Sequence, residues 1–335
     1  MRNQAACAEV TSSGGRSQPG PGTAASPARI WLALGTVYLL WGSTYLGIKY
    51  AIATIPPLLM GSARFLVAGG VLWLLALRRG DAGRDRLGAA QWLAALLIGG
   101  ALLFGGNGGV ILAERNVPTG VVALFVATAP LWMALLDRVI FKRRLPGLGI
   151  LGLVIGFGGV AFLIGSPGSG HINLGGAALA LAAPLCWASG SVFTRHVKLP
   201  ARPLVAASME MLCAAGLFFI ASVLAGELGH FHLQAVSTAS LLAMVYLITF
   251  GSLVGFSAYV WLLRSAPLSL VSTYAYVNPV VAVILGALFL NEALAPRTVI
   301  AGGIIIAAVA LIVIARQRAV QVRAEPVPPV APARP

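Results

Sequence analysis

Ten apolar stretches, at 31–51, 58–78, 91–113, 119–139, 148–166, 174–194, 204–225, 239–262, 269–290 and 298–315, follow one another with only short linkers between them. A helix rises about 1.5 Å per residue, so about 20 such residues cross a hydrocarbon layer of roughly 30 Å. Water is not there to serve unpaired backbone groups, which leaves the helix as the form for each stretch. Composition fits, since 59% of the 335 residues are hydrophobic and 10% charged, against about a quarter charged in soluble domains. The chain therefore reads as an all-α integral membrane protein of ten transmembrane helices, with the lipid bilayer as its solvent and no room for a soluble catalytic domain.

A net charge of +14 would suit a nucleic-acid ligand if the basic groups clustered, but they are spread through the loops. The two tails and alternate loops on one side hold 19 of the 23 Lys and Arg residues; the other side has only Lys49, Arg115 and Arg297, and Arg64 lies inside a span. Cytoplasmic loops collect basic residues, so both termini are placed inside and the charge reports topology, with no nucleic-acid partner. Residues 1–29 and 316–335 read as disordered cytoplasmic tails. No cleavable leader is evident, so the first span serves as its own targeting signal. Cys7 lies in the first tail and Cys186 and Cys213 in spans, a distribution that suggests neither a disulfide nor a metal cluster.

The chain is also written twice. Shifted by 146, Trp41 falls on Trp187, Ser43 on Ser189, Lys49 on Arg195, Arg64 on Glu210 and Gly70 on Gly216; shifted by 149, Gly106 falls on Gly255, Arg115 on Arg264, Pro118 on Pro267 and Pro130 on Pro279. The unit is five spans, 30–166 and again 174–315. Five is odd, so the second copy enters the membrane from the opposite side, as the basic loops independently indicate. Inverted repeats of this kind suit alternating access, in which rocking one part against another exposes a central site to each side in turn. A channel, a scaffold or, less readily, a membrane-embedded enzyme are the other classes open to a duplicated membrane protein.

Pro130 and Pro279 fall near the centres of the fourth and ninth spans. Each removes a backbone donor and frees a carbonyl one turn back, so matched interruptions at mid-depth point to a substrate site, though packing kinks alone would also account for them. Beside Pro279 stand Tyr274, Tyr276 and Asn278, where the first copy has Phe125, Ala127 and Ala129; the second half is expected to supply most polar contacts. Ser43 and Asn107 are further candidates for the pathway. Charges inside spans are costly and tend to face a cavity or a partner. Arg64 is a candidate for a substrate carboxylate and Glu210 for proton coupling, and both also fit a purely architectural role. The inversion places them at different depths, about 10 Å or more apart by helical rise, which argues against a direct salt bridge. Lys49 reads as snorkelling to the interface, and Glu114 with Arg115 and Glu292 with Arg297 as interfacial pairs. The glycines of 147–165 read as close helix packing.

The segments "WGSTYLGIKYAI" (41–52), "ARFLVAGG" (63–70), "GNGGVILAERNVPTG" (106–120), "STYAYVNPVVAV" (272–283) and "LNEAL" (290–294), in that order, resemble the EamA-type carriers of the drug/metabolite transporter superfamily, most closely its YedA-like exporters. The resemblance spans about 31–315. It implies two inverted five-helix halves, a central cavity and efflux of small metabolites, amino-acid-like or drug-like, across the bacterial plasma (inner) membrane. The small-molecule substrate itself is not legible, nor is the oligomeric state. A proton gradient and facilitated exchange fit equally, and no cofactor is implied. The sequence departs from the family in "FKRRL" (141–145), which lacks the acidic residue present in the second copy as Glu292.

Overall fold

The computed structural model describes residues 26–79, 87–142, 146–164, 173–266, 268–271 and 273–324. Residues 1–25 and 325–335 of the two tails, Pro267, and Arg143, Arg144 and Leu145 of "FKRRL" lie outside the described residues. Among the described residues ten helices form the body: α1 (Pro27–Ala51), α2 (Pro57–Arg78), α3 (Ala89–Ala113), α4 (Thr119–Val139), α5 (Gly147–Ile164), α6 (Leu174–Phe193), α7 (Pro203–Leu224), α8 (Thr238–Tyr259), α9 (Tyr274–Leu290) and α10 (Pro296–Ala324). Among the described residues nine are long and apolar enough to span a bilayer; α9 has 17 residues and follows a separate turn, Leu268–Val271. Leu66, Leu74, Leu97, Val154, Leu241 and Leu288 stand exposed on the outside of the body, as lipid rather than water requires.

The packing is pairwise symmetric, as an inverted repeat demands. Helix α2 lies antiparallel on α7, and α5 on α10. Ser62 Oγ donates to the Ala215 carbonyl at 3.0 Å, and a methyl on Gly61 would fall 2.8 Å from the Phe218 ring. On α5, Gly152 and Gly159 bring its backbone onto Ile312, Ala308 and Ile304 of α10, the close approach that small residues permit. Helix α1 packs on α8 and α9 of the other half, while α6 packs on α3 and α4. A continuous apolar core including Phe65, Phe125, Leu131 and Phe218 joins the halves.

Two corrections to the sequence reading concern the prolines. Helix α4 breaks at Ala127–Thr128 and restarts with Pro130 in its first turn, where a missing N–H costs nothing because it would lack a partner anyway. Pro279 instead sits inside a continuous α9; the second break falls earlier, at Thr273, whose hydroxyl donates to the Leu270 carbonyl much as that of Thr128 donates to Phe125. The irregularities that do match are π-helical stretches, Gly100–Asn107 in α3 and Leu247–Val254 in α8. The 149-residue shift carries the first to within two residues of the second. Such stretches are uncommon and concentrate at functional sites.

Candidate functional site

Each π-helical stretch receives a tryptophan from the opposite half. Trp41 of α1 donates from Nε1 to the Gly251 carbonyl at 3.3 Å, and a methyl on Gly255 would fall 2.6 Å from that nitrogen. The related Trp187 of α6 lies on Gly106 of α3, where a methyl would fall 3.1 Å from its ring. Around Trp41 the second half adds two rings: Tyr259 at 5.1 Å and Tyr274 edge-on at 5.3 Å between centroids. Ser43 Oγ lies 2.5 Å from the Tyr246 hydroxyl. Gly42 lets α1 approach α9 at Val281 and the Asn278 carbonyl.

Arg64 points from α2 into this same wall. It is buried, its Nε donates to Ser252 Oγ at 3.0 Å, and its Nη1 has no partner. Gly251 lies against both Arg64 and Thr44: a methyl there would lie 3.5 Å from Arg64 Nη2, an ordinary contact, and a tight 3.0 Å from Thr44 Cγ2. Asn278 is buried with Oδ1 unpartnered. Thus Ser43, Arg64, Tyr274, Asn278 and Pro279 share the α1–α2–α8–α9 wall. Asn107, Glu210 and Pro130 belong elsewhere, on α3, α7 and α4. Glu210 brings its backbone carbonyl against Gly99 at the start of the α3 π-helical stretch; its side chain is partly exposed and has no hydrogen-bond partner among the described residues. Because Ser62 is level with Ala215, and Gly69 with Met211, Arg64 and Glu210 are separated by about 8 Å along the α2–α7 pair at helical rise. No ion pair joins them. Sequence reading missed Tyr246, Gly251, Ser252 and Tyr259; of the glycines on this wall, only Gly255 was marked by the repeat.

The end of the body away from the basic loops is built from carboxylates. Helices α2 and α4 begin after Pro56 and Pro118, which offer no side-chain acceptor to the first-turn amides. Glu227, beyond α7, accepts from Leu58 N at 3.2 Å and Leu59 N at 2.8 Å. Glu292, beyond α9, accepts from Thr119 N at 2.6 Å and Gly120 N at 3.1 Å. A carboxylate on unpaired amides at the positive end of a helix is doubly favoured. The expected Glu292–Arg297 pair gives way to this cap, while Arg297 donates to the Phe162 carbonyl. The expected Glu114–Arg115 pair is also absent, for Arg115 is exposed and Glu114 fully buried. Lys49, instead of snorkelling, donates to the Glu114 main-chain carbonyl. Further bonds join the halves here, Ser240 Oγ to the Tyr50 carbonyl at 2.7 Å and Ser237 N to Thr54 Oγ1 at 3.0 Å. A cavity of about 270 Å³ lies beside Glu292, lined also by Val121, Leu163, Val283, Arg297 and Thr298. The outer half of α4 packs on α9, α6 and α1, and its inner half on α6, α5 and α10.

Ten apolar helices in two inverted halves, with matched π-helical stretches where the halves interleave, define a multi-pass membrane transporter. Residues 29–165 and 174–314 each match the EamA-like transporter family. The chain is 39% identical over 287 residues to the uncharacterized inner membrane transporter YedA of Escherichia coli K12, covering 85% of this chain and 90% of the relative. It is 28% identical to a probable amino-acid metabolite efflux pump of the same organism, over 77% and 86% of the two chains. It is 26% identical to the uncharacterized transporter YvbV of Bacillus subtilis, over 79% and 85%. A solved crystal structure 22% identical superposes with a TM-score of 0.58, covering 88% of this chain and 99% of that one, and so shares the fold. The chain belongs to the EamA-like transporter family and is a multi-pass inner-membrane protein.

Proposed function

We propose that this transporter exports small organic metabolites by alternating access, binding them between the two walls built on the π-helical stretches. The observation that carries the reading is the pair of unspent polar atoms on the α1–α2–α8–α9 wall, Arg64 Nη1 and Asn278 Oδ1, next to the Trp41–Tyr259–Tyr274 cluster. A buried donor and acceptor without partners are costly to leave unmade. A zwitterionic substrate answers both, its carboxylate to Arg64 and its ammonium to Asn278, with an apolar side chain against the rings. In this reading Ser43, Tyr274 and Pro279 shape the wall. Asn107 and Pro130 line the pathway on the facing side. Glu210, partly exposed and unpartnered, is the proton-coupling group. The probable amino-acid efflux pump among the relatives supports the same substrate class.

A ligand that binds only the folded state adds RT ln(1 + [L]/Kd) to stability, about 2.7 kcal/mol at a hundredfold excess over Kd. Purified protein is therefore heated with a panel of amino acids, related metabolites and cationic drugs, alongside Arg64→Ala and Asn278→Ala. Stabilisation by amino acids that both variants lose supports the site. Stabilisation that both retain removes it. Counterflow in proteoliposomes separates a carrier from a channel, since only a carrier saturates and exchanges.

A further inference from the structure

We propose that Glu114 is a proton-binding site that latches the outer end of the transporter, taking up one proton from the outer side as that end closes and releasing it when the end opens. The sense of opening and closing rests on the transport reading above; the protonation itself does not.

Glu114 occupies the turn that follows α3, outside the span, and its side chain has no exposed surface. Neither carboxylate oxygen has a partner. Lys49 acts on the carboxylate through its charge alone, for its ammonium donates to the main-chain carbonyl of the same residue. The second carboxylate of the cluster, Glu292, accepts two backbone N–H groups, and it opposes a second negative charge beside it. From α1, Tyr45 and Lys49 face Glu114; from the connection after α9, Glu292 does. Helix α2 brings Arg64, which faces Ser252 of α8. The turns of α4 and α6 packed on the end of α3 bring no titratable side chain among the described residues.

An ionised carboxylate buried without hydrogen bonds costs several kcal/mol, and a proton removes that cost. Burial pushes the Glu114 carboxyl well above the usual carboxylate range, Lys49 pulls the other way, and Glu292 adds to the rise. When the outer end opens and water enters, the group returns towards the ordinary carboxylate range. The sign follows from linkage. The closed state binds more protons than the open one, so closure is fully favoured below the open-state value and weakens as pH rises towards the raised one. Within that window one proton is exchanged, and each pH unit shifts the closing equilibrium about tenfold.

The test uses full-length protein in lipid nanodiscs, wild type and Glu114→Gln. Infrared difference spectra across pH read the C=O stretch of a protonated carboxylic acid. Hydrogen–deuterium exchange of residues 110–122, corrected for the intrinsic pH dependence of exchange, reads opening of the outer end. The expected result is a protonated-acid band at neutral pH that vanishes in Glu114→Gln, with protection that falls about tenfold per pH unit in the wild type and stays level in the variant. Should Glu114→Gln not fold, Glu114→Asp keeps an acid and shifts the band. A missing band while the segment is protected, a band that neither variant alters, or a pH slope that survives in Glu114→Gln overturns the proposal. A failed counterflow assay would refute the transport reading without moving either readout.

Discussion

Removing the carboxylate that crosses from α9 to α4 should unfasten the outer end by a calculable amount. Glu292 accepts two amide hydrogens, Thr119 N at 2.6 Å and Gly120 N at 3.1 Å, at a helix start where Pro118 supplies no cap. Charge-assisted bonds contribute about 1.5–3 kcal/mol each, and replacing a cap by Ala costs about 0.5–2 kcal/mol. Glu292 is partly exposed, so water recovers part of the loss, and about 2–3 kcal/mol is expected for Glu292→Ala. Glu292→Gln keeps one acceptor oxygen and should lose about half as much. An independent route reaches the same contact. A methyl on Gly286 would fall 2.6 Å from Glu292 Oε2, so Gly286→Ala displaces the carboxylate without deleting it. Because both changes break one interaction, the double variant should be no worse than the worse single. Denaturation in mixed micelles, with unchanged slope, gives the free energies. Glu292→Ala within about 0.5 kcal/mol of wild type, or a double variant whose losses add, would refute the cap.

The repeat pairs glycines that the structure treats differently. A methyl at Gly255 meets Trp41 and one at Gly106 meets Trp187, whereas Gly70 and Gly216 face open space; Gly255→Ala and Gly106→Ala should cost about 1–3 kcal/mol, the former more, and the other two nothing measurable by thermal unfolding. Gly99→Ala places its methyl against the Glu210 backbone carbonyl, which cannot turn aside, so expression of folded protein should fall most of all, as size-exclusion profiles will report. Ser252→Ala leaves Arg64 Nε without its acceptor and should cost about 1–3 kcal/mol. Adding it to Arg64→Met should cost almost nothing more, and a full second loss would deny the contact.

The ten helices were legible because lipid forces each span to be long, apolar and internally bonded, and the inversion because an odd unit was repeated and the basic loops agreed. The ninth helix was read too long, over 269–290 where α9 starts at Tyr274, since a broken turn such as Leu268–Val271 has the same apolar composition as a helix. The π-helical stretches were hidden for a related reason: moving a hydrogen bond by one residue leaves the composition of "GALLFGGN" and "LITFGSLV" unchanged. Glu227 and Glu292 cap helices 169 and 173 residues away in sequence, and no local pattern can announce such a cap. Glu114 was read as half of a surface pair because its neighbour is Arg115. Only the packing of α1 and the α9–α10 connection around it reveals that the two side chains part company.

Two identical inverted halves would favour neither facing state, because every contact closing one end would have its equal at the other. What distinguishes the ends must therefore lie where the repeat departs from itself. The 149-residue shift carries Glu114 to Leu263 and Glu292 back to Arg143: in the second copy the buried acid is replaced by an apolar residue, and in the first copy the capping acid by a cation. At a helix start an anion is favoured and a cation is not, and a buried acid can exchange a proton where the leucine at the related position cannot. Both departures put their carboxylate on the outer end. Trp41 and Trp187 occupy matching places in the two halves and so favour neither facing state, whereas Glu114, Glu292 and the exchange of Arg64 for Glu210 are departures at which such a preference can arise.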